Sequence, residues 1–341
     1  MKKIGIICAG SCGIAFAALL EGNGHDVTVW SKFEDEVNML KENHEHVTKL
    51  PGVKLADSVK YTTDLKGTID YCDILVMAVP SQFTRSTAHM MKDLVKDGQI
   101  IVNVSKGIED VTYKTLSEII EEEIPNAEVA VMCGPSHAEE VGRKIPTTIV
   151  VGSHKRSVAE TLQNVFMNDV FRVYTSPDVL GMEVGSALKN VIALAAGMCD
   201  GLGYGDNSKA ALITRGIAEI SRLGIAMGGK SETFFGLTGI GDLIVTCQSK
   251  HSRNRKAGEL IGQGKSMQEA MDEVKMVVEG VYSTKAAIGL ARKYNVELPI
   301  IEQVNAILFE GKDARCAVNE LMLRDKKIEI ECSFPEHSND R

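Results

Sequence analysis

Residues 3–20 read Lys3-Ile4-Gly5-Ile6-Ile7-Cys8-Ala9-Gly10-Ser11-Cys12-Gly13-Ile14-Ala15-Phe16-Ala17-Ala18-Leu19-Leu20, and the fold is decided here. The first five residues form a β-rich apolar run and the last seven an apolar helical segment, so a glycine-bearing turn joins strand to helix. Such a turn presents free backbone N–H groups at a helix N-terminus, where a dinucleotide pyrophosphate binds. Gly10 allows close approach of backbone to phosphate, and Gly13 allows close packing of helix on strand. Cys8 occupies the place of the fingerprint's first glycine, so a side chain has to tolerate the tight turn.

Working outward, further β-rich runs appear at Val27–Trp30, Ile74–Val79, Ile100–Val104 and Val129–Met132, separated by amphipathic stretches. That alternation predicts a parallel, doubly wound, Rossmann-like α/β sheet with crossover helices. Two more runs, Thr148–Val151 and Phe171–Tyr174, flank a helical segment opening near Ser157. After Pro177 the period becomes 3.6 almost throughout, broken by glycine loops at 200–205, 236–241 and 262–264. The expected organisation is a dinucleotide-binding domain over residues 1–178, an all-helical substrate domain over 179–331 and a mobile polar tail over 332–341.

Composition narrows the function classes. A chain of 341 residues, 44% hydrophobic and 25% charged, suits two soluble globular domains. A net charge of -8 argues against a nucleic-acid surface. No apolar run of about 20 residues is evident from composition, which predicts no membrane insertion and, without a signal cleavage pattern, a cytoplasmic protein. The eight cysteines (Cys8, Cys12, Cys72, Cys133, Cys199, Cys247, Cys316, Cys332) lack paired zinc spacing and read as reduced thiols, with no metal site.

Candidate site residues follow from where ligands bind in doubly wound sheets, beyond the carboxyl ends of the strands. The second strand ends Trp30-Ser31-Lys32 without the acid that would hold a ribose diol, so Ser31 and Lys32 suit a 2′-phosphate and lean toward NADP. Lys106 directly follows an apolar strand, placed to meet an anion or a carbonyl oxygen. Ser136, with Glu139 three residues on, has the spacing of a capping box. Lys189 lies off the apolar stripe of its helix, among Gly185, Ser186, Ala193 and Gly197, a face that something can approach closely. Burial there, with a second cation such as Lys106 nearby, would lower its pKa toward the range useful for proton transfer. The run Ser252-Arg253-Asn254-Arg255-Lys256 puts three cations at a helix start, where the macrodipole disfavours them and a bound phosphate would resolve the conflict.

With these residues in view, the chain from Met1 to about Glu331 resembles the NAD(P)-dependent glycerol-3-phosphate dehydrogenase family. The resemblance rests on a series of segments: AVPSQF at 78–83, SKG at 105–107, CGPSHAEE at 133–140, ALKNVIALAAGMCDGLGYGDN at 187–207, GLTGIGDLIVTC at 236–247, SRNRK at 252–256 and VVEG at 277–280. It implies reversible hydride transfer between NADPH or NADH and dihydroxyacetone phosphate, supplying glycerol 3-phosphate for phospholipid synthesis, in a homodimer. It further implies that Lys189 is the catalytic proton donor and acceptor, with Asp242 beside it. Lys106, Gly134, Ser136, Lys189, Asp242, Ser252, Arg253 and Asn254 would hold the phosphorylated substrate. Besides Gly10 and Gly13, the cofactor would be bordered by Ser11, Cys12, Lys32, Phe33, Phe83, Lys106, Ala138, Arg253, Val277 and Glu279. Two departures stand out: the family usually has glycine at the position of Cys8 and a bulky aromatic at that of Cys12.

Two other readings make different demands. A dehydrogenase of 3-hydroxy acids or hydroxyacyl thioesters shares the two-domain plan, but its substrate would leave the cations of 252–256 without a role. A nucleotide-sensing protein without turnover would accommodate the altered glycine turn.

Overall fold

A computed structural model describes residues 1–326 and residue 329, so the expected tail and Cys332 lie outside the described residues. The N-terminal part runs β1 (Lys3–Ile7), α1 (Ser11–Gly22), β2 (Asp26–Trp30), α2 (Glu34–Asn43), β3 (Lys60–Thr62), α3 (Leu65–Tyr71) and β4 (Ile74–Met77). It continues through α4 (Thr84–Met91), β5 (Ile100–Asn103), α5 (Leu116–Glu123), β6 (Glu128–Cys133), α6 (Ala138–Gly142), β7 (Thr147–Gly152), α7 (Arg156–Phe166) and β8 (Phe171–Ser176). These strands form one eight-stranded sheet in the order β3-β2-β1-β4-β5-β6-β7-β8. The central strands are almost wholly apolar, and β4 is apolar and buried at every position, because helices cover both faces.

Pairing is parallel except between β6 and β7, which run antiparallel with Val131 opposite Gly152. The five runs expected to form a parallel sheet, now β1, β2, β4, β5 and β6, do pair in parallel, and the direction of β7 is the feature the pattern did not announce. Only the five-residue α6 lies between β6 and β7, so the chain turns back. The short β3 was also not expected; it pairs with β2 through Thr28 and Lys60. The strand order reverses between β1 and β4, which opens a ligand crevice at their carboxyl ends.

The turn after β1 shows why its residues are what they are. A Cβ on Gly13 would sit 2.1 Å from the Cys8 carbonyl oxygen, so α1 can pack this closely only with glycine there. Cys8 itself has φ of 100°, in the region that favours glycine. Cys8 precedes α1, so Cys8 and Cys12 do not share a helical i,i+4 spacing.

The C-terminal part is helical: α8 (Val179–Gly201), α9 (Asp206–Ala226), α10 (Ser231–Phe234), α11 (Asp242–Gln248) and α12 (Arg253–Gly262), then α13 (Met267–Val274), α14 (Glu279–Tyr294), α15 (Pro299–Phe309) and α16 (Ala314–Met322). The hub is α8, packed against α9, α11, α12 and α14. At 23 residues it is long and apolar enough to cross a bilayer, contrary to the sequence expectation, but 94% of its apolar window is buried inside the protein. Residues 237–241 also differ from expectation: instead of a glycine loop they form a π-helical turn running directly into α11.

Candidate active site

The loop after β5 is fixed before any ligand arrives. Asn103 Nδ2 donates to the Ser105 carbonyl at 3.1 Å, Ser105 N donates to Asn103 Oδ1 at 3.2 Å, and Ser105 Oγ donates to the Val79 carbonyl at 2.5 Å. Lys106 is thereby aimed at two oxygens, Gly134 O at 2.8 Å and Asp242 Oδ2 at 2.7 Å. It meets both an anion and a carbonyl, and the anion belongs to the helical part.

Lys189 arrives from α8 and is 4% exposed. Its Nζ donates to Asp242 Oδ1 at 2.5 Å and to Thr246 Oγ1 at 2.6 Å. Thr246 Oγ1 in turn donates to the Asp242 carbonyl at 2.6 Å, one helical turn away on α11, which turns its lone pairs toward the lysine. The π-helical turn before α11 sets Asp242 at that helix's start, where a carboxylate is favoured by the dipole. The small-residue face around Lys189 is approached closely, as expected, but by the chain's own backbone. A Cβ on Gly185 would lie 2.9 Å from the Thr238 oxygen, and one on Gly197 would lie 1.9 Å from the Arg255 oxygen.

One buried carboxylate thus sits between two ammonium groups. Burial pushes the Lys189 ammonium down, and Lys106 adds to this against the pull of Asp242, leaving its pKa at about 8. Burial alone would raise the Asp242 carboxyl, but Lys106 and Lys189 outweigh it and hold it below its ordinary value. Burial likewise acts to lower Lys106, yet Asp242 outweighs it and its pKa is raised. The cluster carries a net positive charge away from water and includes one cation that can release its proton near neutral pH. It is therefore able to stabilise and protonate an oxyanion.

The remaining candidates spread around this cluster. Ser136 Oγ donates to Gly134 O at 3.1 Å, the same carbonyl that Lys106 holds. The expected Ser136–Glu139 capping box is absent, because α6 opens one residue later with His137 at its cap and no side-chain cap bond. Ser252 caps α12, accepting from Arg255 N at 3.2 Å. The crowding of cations at that helix start is partly resolved within the chain, since Arg255 pairs with Asp200 at 2.6 Å and Lys256 with Glu259 at 3.6 Å. Arg253 is exposed and, among the described residues, makes no ion pair, while its charge acts on both Cys12 and Glu279. Asn254 is engaged on both sides, donating to Asn190 Oδ1 at 3.0 Å and accepting from Gly280 N at 2.8 Å, so it clips α8, α12 and α14 together.

Glu279, in the first turn of α14, reaches across to the loop after β4. It accepts from Ser81 N at 3.0 Å, from Gln82 Nε2 at 3.0 Å and from Ser81 Oγ. Val277 stands half-buried just before it, and Phe83 is exposed at the end of the same β4 loop. Ala138 begins α6 beside α1. Lys32 and Phe33 are exposed at the end of β2, with no direct contact to the lysine cluster.

Sequence reasoning missed four residues. Thr246 is one, although its i,i+4 spacing from Asp242 on a helix was a usable signal. Asn190 is the partner of Asn254. Glu36 brings a carboxylate to the end of β2, where it accepts from Ser31 Oγ at 2.6 Å and from Lys49. Burial would raise Glu36, but hydrogen bonds from His46, Lys49 and Ser31 hold its pKa near 2. No local pattern announces that residues 46–49 fold back over α2. The fourth is His137, on whose ring the charges of Lys189, Lys106 and Asp242 act, and burial pushes its pKa down to about 4.

The residues present fit a dinucleotide. Helix α1 opens on Gly10 without a side-chain cap bond and without an acid in its first turn, so its N-terminal N–H groups are left for an anion.

Comparison with known proteins agrees with this arrangement. Residues 3–159 match the NAD-dependent glycerol-3-phosphate dehydrogenase N-terminus, and residues 178–319 match the C-terminus of the same family. A protein of Agathobacter rectalis named glycerol-3-phosphate dehydrogenase [NAD(P)+] is 68% identical over 329 residues, covering 96% of this chain and 98% of that one. A Bacillus subtilis protein of the same name is 49% identical over 334 residues, covering 97% of each. Among solved structures, glycerol-3-phosphate dehydrogenase from Coxiella burnetii superposes with a TM-score of 0.92 at 35% identity, covering 95% of this chain and 99% of that one. With both halves matched in order and the fold shared end to end, the chain belongs to the NAD-dependent glycerol-3-phosphate dehydrogenase family.

Proposed function

We propose that this chain interconverts dihydroxyacetone phosphate and sn-glycerol 3-phosphate with NADP or NAD as hydride carrier. The observation that carries the reading is the lysine pair shared by one buried carboxylate, with Lys189 and Lys106 at 2.5 and 2.7 Å from the two oxygens of Asp242. Gly10, Ser11, Cys12 and Gly13 would receive the pyrophosphate, Lys32 and Phe33 the adenosine half, and Phe83, Lys106, Ala138, Arg253, Val277 and Glu279 the rest. When bound, the nicotinamide supplies or accepts hydride at the substrate's central carbon.

The chain's own residues manage the oxygen and its proton. In reduction Lys189 gives its proton to the oxygen on the central carbon as negative charge develops there. In oxidation the neutral Lys189 amine takes that proton back. Asp242 and Thr246 hold the lysine in place, and Lys106 adds a second positive charge beside the forming oxyanion. Gly134 and Ser136 border the substrate, while Ser252, Arg253 and Asn254, at the start of α12, hold its phosphate. Binding of this remote group orients the carbon that reacts.

The product would feed phospholipid synthesis, and the enzyme would act in the cytoplasm as a homodimer, without nucleic-acid binding or membrane insertion. The acidic net charge and the enclosed position of α8 support the last two points. The test is to follow oxidation of NADPH and of NADH with dihydroxyacetone phosphate, then with unphosphorylated dihydroxyacetone. Turnover of the phosphate alone is the expected result; equal turnover of both, or of neither, contradicts the proposal.

A further inference from the structure

His137 directly follows the Gly134–Ser136 segment and is not used by the fold in the usual way for a cap residue. Its backbone carbonyl accepts from Glu140 N and Val141 N at 3.0 Å each, but its side chain makes no cap bond. The imidazole Nε2 is buried and, among the described residues, has no hydrogen-bond partner. The charges of Lys189, Lys106 and Asp242 all act on this ring, and the His251 ring lies 6.2 Å from it, centroid to centroid. A buried polar atom without a partner is costly, so one left next to the Gly134–Ser136 segment and within the field of the lysine cluster calls for a ligand atom.

Resting on the function proposed above, we infer that His137 Nε2 hydrogen-bonds the free hydroxymethyl group of the ketone substrate and selects hydroxymethyl ketone phosphates over methyl ketone phosphates. The substrate offers three polar positions. The carbonyl oxygen falls to Lys189 and the phosphate to Arg253 with the α12 start, which leaves the hydroxyl unassigned. A phosphate would be better served by an imidazolium, yet burial and the two lysines hold His137 at a pKa of about 4, uncharged near neutrality. A hydroxyl both donates and accepts, so it satisfies Nε2 in either tautomer. A substrate lacking the hydroxyl would leave Nε2 unpaired, and sites of this kind reject such analogues strongly.

The test compares dihydroxyacetone phosphate with hydroxyacetone phosphate, the same molecule without that hydroxyl, at saturating NADPH. The readout is the ratio of the two kcat/KM values, which is independent of the fraction of folded enzyme because both substrates are measured on one preparation. The parent should favour the hydroxylated substrate by at least about a hundredfold. In His137→Leu the ratio should fall by at least about tenfold, and His137→Gln, which keeps a polar side chain, should restore part of it. An unchanged ratio in an active His137→Leu enzyme overturns the inference. So does a variant whose main defect is a raised KM for NADPH, which would place the imidazole on the cofactor. Absence of turnover in the parent would instead overturn the proposed function itself.

Discussion

Lys189 Nζ lies 2.5 Å from Asp242 Oδ1, a contact between residues 53 apart in the chain, and the other oxygen of that carboxylate holds Lys106 at 2.7 Å. The acid-base group is therefore tuned by a balance in which burial and Lys106 lower its pKa and Asp242 raises it. The net result, a lysine near 8, determines how the two directions of reaction should depend on pH.

Reduction requires the ammonium, so its rate should hold below about pH 8 and decline above it. Oxidation requires the free amine and should rise through the same pH. Lys189→Ala should remove both limbs and lower kcat by at least about a hundredfold. Steady-state profiles in the two directions check this, and a variant keeping most of its turnover would exclude Lys189 from proton transfer.

Asp242→Asn should affect folding and catalysis together. Without the carboxylate, two ammonium groups face each other in a buried site, and loss of one member of a buried ion pair costs about 3–5 kcal/mol. Because Asp242 raises the Lys189 pKa, its removal should also move the pH limb below 8. Urea unfolding and the pH profile measure the two effects separately.

Arg253→Ala should leave unfolding nearly unchanged, since Arg253 makes no ion pair among the described residues. It should raise KM for dihydroxyacetone phosphate by an amount equivalent to roughly 1.5–3 kcal/mol, the worth of a charge-assisted bond. Kinetics with unphosphorylated dihydroxyacetone provide the control. Equal losses on both substrates would remove the arginine from the phosphate site.

Lys32→Asp should shift coenzyme preference from NADPH toward NADH, because it replaces a cation suited to a 2′-phosphate with an acid suited to a ribose diol. Glu36, already committed to Ser31 and Lys49, is less available for that role. The ratio of kcat/KM for the two coenzymes is the measurement, and no change would mean that the 2′ position is read by other groups.

Cys8→Gly should stabilise the protein by about 1 kcal/mol and tighten coenzyme binding several-fold. At φ of 100° a side chain is strained, typically by about 1–3 kcal/mol, part of which is offset by the greater unfolded-state freedom of glycine. The Cys8 Sγ also lies 3.7 Å from the position a Gly10 Cβ would take, at the edge of the pyrophosphate turn. Thermal unfolding and calorimetric titration of both proteins decide it. A less stable glycine variant that also binds no tighter would show the turn accepting cysteine without penalty.

Much of the architecture was legible locally. The buried strands of the sheet show up as apolar runs because both faces are covered, and the Gly10–Gly13 turn shows up because close helix packing leaves no room for a Cβ. The strand β3 was not legible, since three residues with one buried side chain carry no period. The reversed direction of β7 also escaped, because strand direction depends on how much chain crosses between strands rather than on side-chain pattern.

For the site, the sequence by itself determined which residue types stand at strand ends and helix starts, and so identified Lys106, Lys189 and Arg253 as cations in need of partners. Only the tertiary structure decided that Asp242 lies between the two lysines, that Thr246 props one of them, that Glu36 reaches the end of β2, and that His137 Nε2 is buried without a hydrogen-bond partner among the described residues. The physical reason is range. Strand, turn and helix patterns arise from neighbours a few residues apart, whereas a pKa or an unpaired nitrogen is set by burial and by charges that approach only when distant segments pack together.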